Sequence, residues 1–150
     1  MRKPEHAQLT LEQAQTIIAT SLQHGRDHKL QPLAVVVLDA RGVLKAYAAQ
    51  DGTSLRRAEI AQGKAHGALS LGIGSRALAK RAAASPHFIA AVTHAVGGLL
   101  IPVPGGVLIR GADRGIIGAV GISGDNSDND EAAAIAGIAA AGLNADPGEG

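Results

Sequence analysis

PVPGGVLIR (residues 102–110), GIIGAVGIS (115–123) and GDNSDNDE (124–131) follow one another, with an alanine-rich run behind them to Leu143. The first two are apolar and rich in β-branched residues, and a short turn separates them. They read as two strands that must pair antiparallel. The third is a loop carrying Asp125, Asp128, Asp130 and Glu131, and the alanine-rich run reads as a helix. A strand pair that ends in an acidic, glycine-containing loop places a concave polar site at the end of a sheet.

Working outward, Thr10-Leu11-Glu12-Gln13 fits a capping box, and Ala14, Ile17, Ile18, Ser21 and Leu22 recur at helical spacing. This predicts a first helix to about His28. Leu33–Leu38 is a continuous apolar run suited to a strand buried on both faces. Asp39-Ala40-Arg41-Gly42 is a turn, and residues 43–49 return as a second strand. After the Gln50-Asp51-Gly52-Thr53-Ser54 loop, a helix is expected over roughly 55–71, capped by Ser54. Its Ala58, Ala61, Ala65 and Ala68 form a narrow stripe that lets a helix lie close to a sheet. Gly63, Gly67 and Gly72 weaken that helix, which points to close packing or a nearby ligand. Ser75 caps a short helix over 76–83, and Ser85-Pro86 starts another that ends near Gly97-Gly98. Leu99–Val103 is a candidate fifth strand, and residues 144–150 read as a frayed tail.

The order α, β, β, α, short helices, β, β, α is dominated by hairpins. It predicts an α+β domain spanning residues 1–150, core about 9–143. The terminal helices lie on one face of an antiparallel sheet and the middle helices on the other. With 46% apolar residues but 1% aromatic, the core is built from Ala, Val, Ile and Leu. A net charge of +1 and no basic run among aromatics argue against nucleic acid. The absence of cysteine removes disulfides, thiolate metal sites and thiol nucleophiles. No segment is apolar long enough to span a bilayer, and Met1–His6 has no apolar stretch behind it, so no membrane association and a cytoplasmic location are expected.

Two readings stay open for Lys64: a buried amine paired with a carboxylate and depressed by desolvation, or a solvent lysine whose stem covers the helix. His66 points to another face of the same helix. His24 and His28 are four apart, a spacing that can hold a divalent ion, but two ligands do not complete a site. His87 and His94 share a helix face, from which one could reach a haem iron. Asp128 and Asp130 read as helix-capping acids, while Asp125 and Glu131 could bind a cation or act as base. GISGD at 121–125 lacks the second glycine of a nucleophile elbow, and GIG at 72–74 follows a helix, so neither motif is adopted.

Asp39-Ala40-Arg41-Gly42-Val43-Leu44 with Gln50-Asp51-Gly52, Lys64-Ala65, Pro104-Gly105-Gly106, the run Gly118–Gly124, Asp130-Glu131 and Ala136-Gly137 together resemble the GlcG/HbpS-like family, over about residues 9–143. The resemblance implies a profilin-like α-β-α sandwich, homo-oligomeric assembly and haem as a cofactor in some members. Gln50 stands where the family usually has Met, and Ala49 where it has Arg. That changes the pocket wall. Two functions follow. One is a haem- or tetrapyrrole-binding protein with an axial ligand from His87, His94 or His66. The other is a small-molecule isomerase, lyase or hydrolase in the same cleft. There Lys64, Glu131 and Asp51 would be catalytic, and Gln50, His66, Pro104, Gly105, Gly106 and Asp125 would bind the ligand. A structural or regulatory oligomer without chemistry is a third reading, suited by the small-residue helix faces. No metal site is assigned. The expected partners are a small-molecule ligand and further copies of the chain.

Overall fold

The computed structural model describes residues 7–149; the Met1–His6 stretch, read above as lacking a leader, lies outside them. Along the chain run α1 (Leu11–Asp27), β1 (Ala34–Asp39), β2 (Leu44–Ala49), α2 (Arg57–Leu71), α3 (Ser75–Ala84), α4 (Pro86–Ala95), β3 (Gly106–Arg110), β4 (Ile116–Ser123), α5 (Ser127–Ala140) and β5 (Asn144–Asp146). The strands form one sheet in the order β2-β1-β4-β3-β5, each neighbouring pair antiparallel.

The continuous apolar run of β1 is explained by burial on both faces. Val35 and Val37 enter a core with Ala14 and Ile17 of α1 and Ala134 and Ile138 of α5. Val36 and Leu38 meet Ala61, Ala65 and Ala68 of α2 on the other face. The expected α-β-α sandwich is therefore the observed one. Leu78 of α3, Ile89 of α4 and Leu100 form a smaller third cluster. No helix among the described residues is long and apolar enough to cross a membrane.

The alanine stripe of α2 works as read. The helix lies so close to β4 that a Cβ on Gly121 would stand 1.8 Å from the Ala61 carbonyl oxygen. Gly63 and Gly67 are needed for packing: a Cβ on Gly63 would meet the Ile101 side chain at 2.5 Å, and one on Gly67 the Leu100 side chain at 2.9 Å. Gly72 ends the helix in the left-handed conformation.

Two segments depart from the expected arrangement. Leu99–Val103 is not a strand. It lies along α2, with the Ile101 N–H donating to the Gly63 carbonyl, and two prolines in 102–104 remove donors that a ladder requires. The tail is not wholly frayed either, because Asn144–Asp146 adds β5 to the edge of β3, helped by an Arg110–Asp146 ion pair of 2.9 Å.

The capping assignments divide. Thr10 and Gln13 form the full reciprocal box. Ser54 and Ser75 do not cap: α2 begins at Arg57, and Ser75 is inside α3. Pro86 holds the first turn of α4 as expected, but the Ser85 side chain makes no cap bond. Replacing Thr10 by Ala is expected to cost about 1 kcal/mol, seen in urea unfolding as a lower midpoint with an unchanged slope.

Candidate functional site

Three distant stretches of chain meet at Lys64. The residue lies in the middle of α2, on the face turned to the sheet, and is 2% exposed. Its Nζ donates to the Ile122 carbonyl of β4 at 2.9 Å and to Asp130 Oδ2 of α5 at 3.3 Å. Asp130 is 1% exposed, and its Oδ1 accepts the Asp125 N–H at 2.9 Å. The proline–glycine arm closes the third side. Gly105 has φ of +121°, and a Cβ there would lie 2.8 Å from Lys64 Nζ. A Cβ on Gly106 would lie 2.3 Å from the Lys64 carbonyl oxygen, and the Gly106 N–H donates to Ser75 Oγ at 2.7 Å. Glycine is required at both positions because the lysine and its helix occupy the space a side chain would take.

Burial decides the electrostatics of this pair. Desolvation lowers the Lys64 pKa, and the attraction of Asp130 offsets only part of it. Desolvation likewise raises Asp130, against the pull of Lys64 and of the Asp125 and Gly124 N–H groups. The pair ties α2, β4 and α5 together at one end of the sheet and is closed to solvent. The middle helix, the proline–glycine arm and the acidic bend converge here, and the lysine fills the space of the concave polar site expected at this end of the sheet.

Asp130 is thus not a capping acid. Asn126 caps α5 by accepting the Asn129 N–H, and Asp130 instead turns inward to the lysine. Glu131 is held by Arg76 of α3, whose Nε reaches both carboxylate oxygens at 3.0 and 3.2 Å, and Asp128 takes the same guanidinium. Asp125 is consumed by structure: it accepts N–H groups from Gln31, Asn126 and the Asn129 side chain, and these bonds hold its pKa below the ordinary value. Gln50 Oε1 accepts the Leu33 N–H at 2.7 Å and so links the loop to β1. Asp51 is exposed, and Pro104 is half-buried beside Gly105. His66 packs beside Gly42 with its Nδ1 3.0 Å from the Leu99 carbonyl. His87 and His94 are exposed on α4, and the His24 and His28 rings stack at 3.9 Å on the surface of α1. A cleft of about 380 Å³ at the far end of the sheet is lined by Asp39, Arg41, Lys45 and Ile117, none of them expected site residues.

One polar centre near Lys64 escaped the sequence reading. Arg57, half-buried in the first turn of α2, donates from Nε to Ser54 Oγ and from Nη1 to Ser123 Oγ, each at 3.1 Å. Its charge adds to the depression of Lys64. An arginine beside a helix start is ordinary in sequence; only the fold reveals that Ser123, far along the chain, faces it.

The family described as "Haem degrading protein HbpS-like" matches residues 9–139. The chain is similar to a crystal structure of HbpS, with 27% identity, a TM-score of 0.77, and 92% of this chain and 93% of that one covered. A crystal structure of a PduOC–haem complex shares the fold at 21% identity and a TM-score of 0.81, covering 91% of this chain and 97% of that one. The Klebsiella pneumoniae protein ORFY, of family DUF336, does so at 22% identity and 0.81, covering 95% and 97%. No curated protein matches the chain. On a match that extends over nearly the whole fold, the chain belongs to the HbpS-like family of haem-degrading proteins.

Proposed function

We propose that the chain is a haem- or tetrapyrrole-associated binding protein. The observation that carries this reading is the family match over residues 9–139, which includes every strand but β5 and most of α5. The likeness to HbpS and to PduOC, the latter solved as a haem complex, points the same way.

Since Lys64 is closed to solvent, the ligand binds elsewhere on the molecule. An axial imidazole must present a free ring nitrogen to iron. His66 is half-buried, and the Nε2 side of its ring, the nitrogen left free by the Leu99 contact, packs against Gly42, whereas His87 and His94 stand exposed on α4, the helix that also exposes Phe88. The axial ligand is therefore assigned to α4. Assembly of several copies belongs to this reading, supported by the large apolar side chains left open at Leu44, Tyr47, Leu55 and Phe88.

Titration with haemin is expected to give a saturable Soret band. The band should weaken or shift in His87→Ala or His94→Ala and stay unchanged in His66→Ala. A wild-type protein without a saturable band, or a His87→Ala/His94→Ala double variant with an unaltered one, would defeat the proposal or its axial assignment respectively.

A further inference from the structure

We infer that Arg57, Ser54 and Ser123 form a binding site for the carboxylate of an organic ligand. The inference goes beyond haem binding and does not require it.

Charge balance supplies the first reason. Arg41, Arg56, Arg76 and Arg110 each hold a carboxylate, from Asp39, Glu59, Glu131 with Asp128, and Asp146. Among the described residues no ion pair reaches Arg26, Arg57, Arg81 or Arg114, and of these four Arg57 alone is half-buried, the other three being exposed. A partly desolvated cation left without a counter-charge is costly. The only carboxylate of the neighbouring buried pair, Asp130, is already engaged by Lys64.

Geometry supplies the second. A guanidinium carries five N–H donors in a planar fork, and the two serines use one on Nε and one on Nη1. Each serine oxygen that accepts from Arg57 retains its own O–H to donate. Donors from Arg57, Ser54 and Ser123 are thus grouped at the end of β4, held by the loop before α2, by α2 itself and by the sheet. A planar carboxylate matches the fork of donors that remain. Such a carboxylate could be free or could be an acidic arm of a tetrapyrrole.

The test has three arms on the intact protein. Succinate is titrated while the ¹⁵N-labelled Arg57 Nε–H resonance is followed. Haemin and haemin dimethyl ester, which lacks free carboxylates, are titrated in parallel. All three are repeated in Arg57→Gln and Arg57→Lys, with far-UV circular dichroism to confirm folding. A saturable succinate shift in the wild type, with affinity falling at least about tenfold in Arg57→Gln and partly kept in Arg57→Lys, supports a free carboxylate. Haemin weakened by Arg57→Gln, with the ester indifferent to it, supports a tetrapyrrole arm. A succinate response in a protein that binds no haemin would leave this site standing while the haem reading fell. Absence of a succinate shift together with haemin binding that ignores Arg57→Gln overturns the inference. So does a change confined to sedimentation mass, which would assign Arg57 to a contact between copies.

Discussion

Gly121→Ala is expected to destabilise the protein by about 4 kcal/mol or more, enough to leave little folded material. Gly121 lies in β4, paired with Val36 of β1 and Gly106 of β3, and α2 crosses directly above it. The new methyl would meet the Ala61 carbonyl oxygen at 1.8 Å and its carbon at 2.8 Å. A side chain in the way can rotate aside, but here the obstacle is helix backbone. Relief requires α2 to lift from the sheet, which pulls Ala61, Ala65 and Ala68 out of their core and strains the bonds of Lys64. Gly63→Ala is the control. Its clash is with the Ile101 side chain, on a segment at the rim of the fold, so about 1–3 kcal/mol is expected. Urea unfolding of the two variants measures the difference. A loss below about 1 kcal/mol for Gly121→Ala would mean that α2 does not sit as closely as described.

Asp130→Ala is expected to cost about 3–5 kcal/mol, because it strands the Lys64 charge in a site that is 2% exposed. The loss measures an unpaired charge rather than the worth of the pair. Lys64→Met/Asp130→Leu, which removes both charges and keeps apolar bulk, should therefore recover most of it. The pH dependence follows from the two directions of shift. Lys64 is depressed, so the unfolded chain binds the extra proton between its lowered value and the ordinary lysine value. Its contribution to stability is full above that window and is lost as pH falls through it. Asp130 is raised, so its contribution is full below the ordinary carboxylate value and is lost as pH rises through its raised value. In Asp130→Ala only the lysine branch survives, and stability should climb steadily on the alkaline side. Chemical denaturation from neutral to alkaline pH checks this; a flat profile in that variant would show that Lys64 has found water.

What could be read from sequence was what local pattern encodes. Thr10 and Gln13 announce a helix start, Leu33–Leu38 a strand buried twice, and the alanines of α2 a close approach, because each message sits within a few residues. The failures share the opposite property. Asn144-Ala145-Asp146 has no strand character of its own, and its pairing is supplied by β3 and Arg110. Leu99–Val103 has the apolar content of a strand, but its place is decided by the two glycines of α2 it packs against. Asp125, Asp128 and Asp130 look alike at the head of a helix. One binds loop amides, one meets Arg76 at the surface, and one turns inward to a lysine 66 residues away. Lys64 could be named as a candidate, but only the fold shows that its counter-charge belongs to the protein. Arg57 gave no sign, since its partner Ser123 is also 66 residues distant.

The titration of Lys64 itself, followed through its ¹³Cε resonance, tests most directly whether three segments of chain close around a buried amine. The midpoint should fall below that of a solvent lysine, and the shift should respond to Asp130→Asn. A lysine that titrates at the ordinary value and ignores that substitution would contradict the arrangement on which the site is built.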